Sequence, residues 1–217
     1  MTAAVRRGLF ITLDGPSAVG KSTTLHELAD LLRGGDNMVH TTTEPSTSDL
    51  GQFIRANAAH LHGRALACLV AANRYEHIEA ELRPHLRAGE TVVCDRYLAS
   101  TLVLQRLDEV PVPFLLALNA DVLLPDLSVI LTAEPTVVAE RLARRGVRHR
   151  FHLDPAFPAR EVALYAEAEQ TLTAMGVRVL SLNTTNSTPT DVARRIADIV
   201  PTLTGSVSSH TRPDDHR

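Results

Sequence analysis

A glycine-rich segment near the amino terminus carries the residues whose types and spacing best fit a defined chemistry. Gly15, Gly20, Lys21 and Ser22 match the pattern G-x-x-x-x-G-K-[ST]. The two glycines allow backbone angles that other residues avoid, so consecutive N–H groups can surround an anion. The lysine would bring positive charge to the β- and γ-phosphates of a nucleoside triphosphate, and the serine hydroxyl would help to hold Mg²⁺. The predicted phosphate-binding loop comprises Gly15, Pro16, Ser17, Ala18, Val19, Gly20, Lys21, Ser22 and Thr23.

The segments on either side of this loop argue against a chance match to the pattern. Residues 9–13 are uncharged and predict a short buried strand directly before the loop. After the loop, four apolar residues recur at helical spacing, namely Leu25, Leu28, Ala29 and Leu32. Gly34 and Gly35 can end this helix. A strand, a loop and a helix in this order form the context that a phosphate loop requires, and the helix dipole favours an anion at the same place.

Strands and helices alternate along the rest of the chain. Strands are predicted at residues 9–13, 38–43, 91–94, 127–131 and 177–182, with helical patterns between and after them. This alternation is typical of an α/β fold with a five-stranded parallel sheet and helices on both faces. Ligands of such sheets bind outside the carboxyl ends of the strands. Four acidic residues stand at those ends, namely Asp14, Glu44, Asp95 and Glu134. Each alone could be a turn or cap residue, but together they suit Mg²⁺ and sugar hydroxyls.

The strongest helical pattern lies at residues 64–83, and Pro84 and Gly89 are expected to end it. Four residues form one apolar stripe on this helix, namely Leu66, Val70, Ile78 and Leu82. Arg74 lies in the middle of the stripe. Its guanidinium could reach from the edge of the stripe to water, or the stripe could face a cleft that needs a positive charge. The pattern alone leaves both alternatives open.

Further arginines supply the positive charge that phosphoryl transfer requires. Transfer asks a protein mainly for positioning and for neutralisation of charge. Arg96 follows the third predicted strand and is the best placed partner for an acceptor phosphate. A later run contains five arginines, namely Arg141, Arg144, Arg145, Arg148 and Arg150. The run could be a solvated helix face, but Gly146 and two following prolines favour an arginine-rich lid at about residues 144–159.

The composition fits one α/β domain. The chain has 217 residues with a net charge of −3, which provides no basic surface for bulk nucleic-acid binding. It has no apolar run near 18 residues, so we expect a cytoplasmic protein without a membrane partner. A single domain is expected over residues 1–205, followed by a polar, disordered tail over residues 206–217. Cys68 and Cys94 lie in apolar segments without metal-ligand spacing, and both are expected to be buried free thiols.

Taken together, these segments resemble the thymidylate kinases over about residues 8–200. The matching pieces are GPSAVGKST at 15–23, EP at 44–45 with LGQFIR after it, AANRYEHI at 71–78, GETVVCDRYLAS at 89–100, PDL at 125–127 and the arginine-rich lid. The resemblance implies a P-loop nucleoside monophosphate kinase fold, ATP and Mg²⁺ as cofactors, and a pyrimidine monophosphate, dTMP, in a neighbouring cleft. It also implies a homodimer.

The resemblance also assigns expected roles. Arg74 would hydrogen-bond the pyrimidine ring, and Arg96 would bind the acceptor phosphate. The expected catalytic residues are Lys21, Asp95, Arg96, Arg148 and Arg150, and the expected Mg²⁺ ligands are Ser22 and Asp95. The expected acceptor site comprises Asp14, Glu44, Arg55, Val70, Arg74, Arg96, Thr101 and Leu104.

Three departures from the family pattern concern the acceptor. Val70 stands where the family commonly has a phenylalanine that stacks on thymine, Leu104 replaces a tyrosine near the sugar, and Ser17 replaces an aspartate of the loop. The expected activity is therefore transfer of the γ-phosphoryl group of ATP to dTMP or a related pyrimidine nucleotide. A kinase for another nucleotide, a nucleoside or a small metabolite is the alternative. A nucleotide-binding regulator without transfer activity is a weaker one, since the Asn-Lys-x-Asp sequence of GTPase switches does not occur.

Overall fold

The carboxyl-terminal edge of a five-stranded parallel sheet organises the molecule. The computed structural model of the chain describes residues 7–33, 37–146 and 150–203. The strands are β1 (Phe10–Asp14), β2 (Val39–Thr43), β3 (Thr91–Asp95), β4 (Leu127–Thr132) and β5 (Val179–Asn183). All neighbours are parallel, and their order is β2-β3-β1-β4-β5. The predicted five-stranded parallel sheet is therefore confirmed.

The strand register brings the chemically interesting residues to one edge of the sheet. Leu13 of β1 and Thr43 of β2 both lie opposite Asp95 of β3, and Asp14 lies opposite Ile130 of β4. Because the strands are parallel, the loops that follow β1, β2 and β3 leave the sheet side by side. The phosphate-loop sequence, the segment after Glu44 and the segment after Asp95 are thus neighbours in space although they are distant in sequence.

Helices cover the sheet in two groups. Their bounds are α1 (Lys21–Leu32), α2 (Asp49–Asn57), α3 (Gly63–His77), α4 (Arg83–Arg87), α5 (Leu98–Leu107), α6 (Val112–Leu118), α7 (Pro135–Arg145), α8 (Phe157–Ala174), α9 (Pro189–Ala197) and α10 (Val200–Leu203). The first group packs α1 against α9, and the second packs α5 against α3 and α8. Right-handed crossovers from this strand order place the two groups on opposite faces.

The apolar pattern explains which strands are central. Every residue of β1 is buried, whereas the edge strands β2 and β5 consist mostly of half-buried or exposed residues. The core is mainly aliphatic. Within it, Phe10 lies edge-on against Tyr97, with ring centroids 5.0 Å apart. Central strands that are buried on both faces read as continuous apolar runs, which is why β1, β3 and β4 were predictable.

The helix predicted to end at Pro84 continues beyond it. A π-helical segment, Ile78–Leu82, joins α3 to α4, and the backbone N–H of Arg83 donates to the carbonyl of Ile78, five residues earlier. A proline inside an α-helix normally clashes with the carbonyl four residues before it. The wider turn changes that spacing directly before Pro84, so the helical path runs on to Arg87. Gly89, with φ +85°, lies beyond the end of this path.

Side chains cap two of the helices, and one prediction concerning the cysteines is wrong. Ser48 caps α2, and Thr188 with Asp191 forms a capping box on α9. Cys94 is buried, but Cys68 is exposed, which corrects the expectation for that thiol. Cys68 follows the buried Ala67, and consecutive helical residues point about 100° apart. No helix formed by the described residues is long and apolar enough to cross a membrane. The predicted tail over residues 206–217 lies outside the described residues.

Candidate functional site

The glycine-rich loop after β1 has the backbone that its sequence predicts. Gly15 has φ +142° and Gly20 has φ +106°, and Ala18 between them also adopts positive φ, at +60°. A Cβ atom at Gly15 would lie 2.2 Å from the carbonyl oxygen of Leu131. Only glycine therefore fits at that position, where the loop passes directly over the end of β4.

Lys21 begins α1 and lies with its ammonium group inside the loop. Its side chain is buried, and Nζ donates to the carbonyls of Gly15 and Pro16 at 2.8 Å each. Burial and the nearby guanidinium of Arg96 lower the pKa of Lys21 to about 7. The ammonium has no carboxylate hydrogen-bonded to it in the described part of the chain, so an anion brought into the loop would be a favourable partner.

Ser22 and Asp95 form a pair suited to a hard cation. The Ser22 hydroxyl donates to Oδ2 of Asp95 at 2.6 Å, so the start of α1 meets the end of β3. The other carboxylate oxygen, Oδ1, is buried and has no hydrogen-bond partner among the described residues. A buried, unpartnered carboxylate oxygen beside a hydroxyl is the oxygen donor set that Mg²⁺ uses next to phosphates. The residues present therefore fit Mg²⁺.

Two cavities open at this edge of the sheet, and Arg96 lines both. The first, which we call the loop-side cavity, has a volume of about 450 Å³. It is lined by loop residues that include Lys21 and Ser22, together with Asp95. The second, of about 350 Å³, is lined by residues that include Glu44 and Arg96. Among the described residues, Arg96 alone is common to both cavities. Its φ of +73° is unusual for a residue with a side chain, and such strain is found where the surrounding structure imposes a conformation that function uses.

The second cavity collects most of the predicted acceptor residues. It has an apolar wall, which includes Val70 and Leu104, and a polar wall, which includes Arg74 and Thr101. The predicted residues that line it are Glu44, Arg55, Val70, Arg74, Arg96, Thr101 and Leu104. Arg55 is held at its mouth because its guanidinium donates to the carbonyls of Pro45 and Ser46. The cavity is thus a mixed polar and apolar pocket of the kind that binds small molecules.

Arg74 is fully buried and does not reach water. Its Nε and one terminal nitrogen donate to Oε2 of Glu44 at 2.9 and 2.7 Å. It also donates to Asn119 at 2.6 Å and to Thr101 at 2.8 Å, and its guanidinium carbon lies 4.8 Å from the centroid of the Tyr97 ring. The side chain is 1% exposed. It lines the second cavity, as expected from the alternative in which this face of the helix borders a cleft. The alternative of an arginine that reaches from the stripe to water is wrong.

A second layer of polar contacts holds Glu44 and the turn after it. His77 lies 3.3 Å from Oε1 of Glu44 and 3.4 Å from Oε2 of Glu81. Despite its burial, these two carboxylates raise the pKa of His77 to about 9. Asn73 accepts a hydrogen bond from the backbone N–H of Ser46 at 2.8 Å. The polar residues of the AANRYEHI segment therefore position the wall of the second cavity.

Two of the acidic residues at strand ends have other surroundings. Asp14 is fully buried, and its Oδ1 accepts hydrogen bonds from the backbone N–H of Tyr97 and from the backbone and hydroxyl of Ser100. Burial raises its pKa, and Oδ2 has no partner among the described residues. Asp14 lines neither cavity and instead caps α5. Glu134 is exposed at the start of α7 and likewise lines neither cavity.

Sequence reasoning missed Glu161 of α8. Its side chain is fully buried, and its two carboxylate oxygens accept hydrogen bonds from the backbone N–H and the hydroxyl of Ser17, at 2.9 and 3.2 Å. Burial raises its pKa. A signal was present, because Glu161 lies on the buried stripe of α8 between Phe157 and Tyr165, as Arg74 lies on that of α3. Asn119 and Tyr97 also contact Arg74, but no sequence pattern indicated these contacts.

Only part of the predicted lid is described. Arg141, Arg144 and Arg145 of α7 line the loop-side cavity, and Arg141 is held by two hydrogen bonds to Thr184. Arg148 lies outside the described residues. The backbone of Arg150 begins a 3₁₀ turn, Arg150–Leu153, and its side chain is not described. The structure therefore brings the first three arginines of the run to the loop.

Comparison with known proteins agrees with this architecture. The sequence pattern described as thymidylate kinase matches residues 13–196. A thymidylate kinase of Nitratidesulfovibrio vulgaris is 34% identical over 215 residues, which cover 93% of this chain and 96% of the relative. A probable thymidylate kinase of Caldivirga maquilingensis is 36% identical over 153 residues, covering 69% and 75%. A thymidylate kinase of Deinococcus radiodurans is 38% identical over 148 residues, covering 64% and 72%. The chain therefore belongs to the thymidylate kinase family.

Proposed function

We propose that this protein transfers the γ-phosphoryl group of ATP to dTMP or a closely related pyrimidine nucleotide, giving ADP and the nucleoside diphosphate. The observation that carries the proposal is the position of Arg96, which lines both the loop-side cavity and the second cavity. In this proposal the second cavity holds the acceptor and is called the acceptor-side cavity. A guanidinium between two phosphate sites can bind the acceptor and stabilise the charge that develops during transfer. An acceptor phosphate oxygen forms the new bond to the γ-phosphorus, and the bond to the β–γ bridging oxygen breaks.

The donor side of the proposed site is the phosphate loop. Backbone N–H groups of the segment from Gly15 to Thr23 would surround the phosphates of ATP, except at Pro16, which has no N–H, and at Ser17, whose N–H donates to Glu161. Lys21 would exchange its two carbonyl partners for the β- and γ-phosphates, a change that its burial favours. Ser22 and Asp95 would hold Mg²⁺, which neutralises phosphate charge when bound. Arg141, Arg144 and Arg145 approach the same cavity, and we propose that Arg148 and Arg150 of the lid complete this charge around the γ-phosphate.

The acceptor side of the proposed site is the pocket around Arg74. After its four hydrogen bonds, the Arg74 guanidinium retains one N–H that can donate to a pyrimidine carbonyl. Val70 and Leu104 would form the apolar wall beside the base and sugar. We further propose a homodimer and a cytoplasmic location. The family resemblance supports the first, and the nucleotide substrates and unpaired cysteines support the second.

Transfer to a panel of possible phosphate acceptors tests this function. ADP release is measured with dTMP, dUMP, UMP, a 5-substituted pyrimidine monophosphate, nucleosides and small phosphate acceptors. We expect dTMP to be a substrate without strong preference, because Val70 lacks the aromatic face and Leu104 lacks the hydroxyl that the family pattern has at these positions. Transfer only to a nucleoside or a metabolite would replace the acceptor in the proposal. The absence of transfer to every acceptor tested would overturn it.

Val70→Phe is expected to raise kcat/KM for dTMP about two- to tenfold. Aromatic stacking contributes about 0.5–1.5 kcal/mol beyond area burial, and Val70 is half-buried on the apolar wall, where a ring would meet the base. Leu104→Tyr is expected to reduce use of UMP relative to dUMP. Leu69→Phe is the matched control, since Leu69 is also half-buried on α3 but does not line the cavity. Selective dTMP use by the natural protein, unchanged by Val70→Phe, would contradict the interpretation.

Glu161→Gln is expected to raise the KM for ATP several-fold while the KM for dTMP stays unchanged. Both oxygens of Glu161 accept hydrogen bonds from Ser17, and an amide keeps only one acceptor oxygen. Charge-assisted bonds of this kind contribute about 1.5–3 kcal/mol, and here they hold the loop from the α8 side. Glu167→Gln is the control on the same helix, since its carboxylate is half-exposed and pairs with Arg106. Equal ATP dependence in the two variants would show that Glu161 does not position the loop.

A further inference from the structure

A cluster of two histidines and a glutamate lies at the β2 edge of the sheet, away from both cavities. His40 belongs to β2, His85 to α4, and Glu90 to the turn that leads into β3. One ligand atom from each of the three residues lies within 4.8 Å of the others. None of the three residues lines the loop-side cavity or the acceptor-side cavity. The cluster is therefore not part of the proposed kinase site.

The donor atoms of the cluster are of the type that borderline transition metals prefer. His85 Nδ1 and Glu90 Oε2 are 2.9 Å apart. Two ligands of a tetrahedral zinc ion, each about 2.0–2.1 Å from the metal, lie about 3.3 Å apart. A metal ion can thus replace the hydrogen-bonded proton between these two atoms with a small shift. Imidazole nitrogen combined with one carboxylate suits Zn²⁺, Ni²⁺ or Cu²⁺ rather than Mg²⁺ or Ca²⁺.

A neighbouring carboxylate already orients His40 as a ligand requires. His40 Nε2 lies 2.8 Å from Oε1 of Glu81, and the second oxygen of Glu81 lies 3.4 Å from His77. A carboxylate that accepts the N–H of one ring nitrogen leaves the lone pair on the other nitrogen, and metal-binding histidines usually have such a partner. Glu81 lies on the π-helical segment, so the bulge that carries the chain past Pro84 also supplies this contact.

The two imidazoles are stacked, with ring centroids 3.6 Å apart and planes 9° from parallel. A metal ion binds in the plane of an imidazole, so His85 has to tilt out of the stack by rotating about its Cβ–Cγ bond, while Glu81 holds His40 in place. The side chains of His40 and His85 are 25% and 33% exposed, so both rings border solvent on part of their surface. The backbones that carry the three residues are hydrogen-bonded to one another, since the N–H of Glu90 donates to the carbonyl of His85 and that of Thr91 to the carbonyl of Met38. Binding therefore requires movement of side chains.

We propose that His40, His85 and Glu90 form a binding site for a divalent transition-metal ion of the zinc type, with Glu81 orienting His40. Water completes the coordination, because three protein ligands leave a fourth tetrahedral position. The site is independent of the proposed kinase activity, and neither its presence nor its absence bears on the acceptor.

The test uses the full-length chain without a histidine tag, freed of metal with a chelator and free of nucleotide. Zn²⁺ is titrated in competition with a chromophoric chelator, and Co²⁺ is followed by visible absorption, which is intense for tetrahedral sites. We expect one equivalent of Zn²⁺ that is lost in His40→Ala and His85→Ala. In Glu90→Gln, which keeps the size of the side chain, and in Glu81→Gln the affinity is expected to fall about tenfold or more.

Matched controls separate this site from other zinc ligands of the protein. His62→Ala removes an exposed histidine outside the cluster and is expected to bind as the natural chain does. Asp95→Asn removes the carboxylate of the predicted Mg²⁺ site and is expected to leave the Co²⁺ spectrum unchanged. Circular dichroism shows that each variant is folded. Zinc binding that survives in the His40→Ala/His85→Ala double variant, or equal loss in His62→Ala, would overturn the proposal. So would the absence of any zinc binding by the natural chain.

Discussion

Replacing Lys21 by alanine is expected to lower kcat by about a hundredfold or more while the protein remains folded. A cation that stabilises charge in the transition state is typically worth a few kcal/mol of barrier. The fold should not depend on it, because Nζ bonds only to two carbonyls of its own loop. Burial lowers the pKa of Lys21, so the folded protein disfavours the charged form of this side chain. Lys21→Met, which keeps the length of the chain, should melt at the same temperature as the natural protein or slightly above it.

The composition provides an independent measurement for the same residue. Lys21 is the only lysine among the 217 residues. An amine-selective reagent can therefore modify only Lys21 and the amino terminus, and the two products separate by peptide mass. We expect ATP with Mg²⁺ to protect Lys21 and not the amino terminus. A folded Lys21→Ala variant with near-normal turnover, or modification of Lys21 that ATP leaves unchanged, would contradict the assignment of the loop.

Arg74→Met is expected to destabilise the protein by about 3–5 kcal/mol and to abolish measurable dTMP binding. Removing one partner of a buried ion pair leaves the other charge buried without compensation, and the cost is typically of this size. Here the remaining group is Glu44, whose side chain is 4% exposed. For a domain of this length the loss corresponds to a fall in melting temperature of about 10 °C. Thermal unfolding and equilibrium binding measure the two effects separately.

Two further variants distinguish the structural role of Arg74 from its proposed contact with the pyrimidine. In Arg74→Met/Glu44→Gln the uncompensated carboxylate is gone, so part of the stability should return while dTMP binding stays lost. Arg64→Met is the matched control on α3, where an exposed guanidinium lies 5.2 Å from the centroid of the Phe114 ring. Its expected cost is below about 1 kcal/mol. An Arg74→Met protein that melts like the natural one, or that binds dTMP normally, would contradict the reading of this network.

Much of the fold could be predicted because its signals are local. The uncharged run before Gly15 and the spacing to Lys21 each constrain a few consecutive residues, and the alternation of strands and helices then fixes the class of sheet. Pro84 misled the prediction of a helix end, because the π-helical turn before it depends on packing that a residue pattern does not report. Cys68 misled in the same way, since an apolar segment does not reveal which side of the helix faces the solvent.

Residues of the candidate site could be predicted where a short motif indicates their chemistry. They were harder to predict where their hydrogen-bond partners come from distant segments. Arg74 in the middle of an apolar stripe left two alternatives, and its partner Asn119 is 45 positions away, at the end of another helix. Glu161 offered the same signal as Arg74, a charge on a buried stripe, yet its partner Ser17 is 144 positions away. The order of the strands brings such pairs together. Sequence patterns predict the class of sheet but not this order.

The cap that Asp14 places on α5 joins the strand before the glycine-rich loop to the helix that lines the second cavity. Asp14 ends the strand that leads into the phosphate loop, and its Oδ1 holds the first turn of the helix that carries Thr101 and Leu104. Donor and acceptor would therefore be positioned from one shared anchor, so small shifts of the sheet move both groups together and leave the distance between them unchanged. Reaction rates are sensitive to that distance, since a misplacement of about 1 Å can cost about a hundredfold. If both phosphates bind as proposed, this buried carboxylate would couple their positions, although it lines neither cavity.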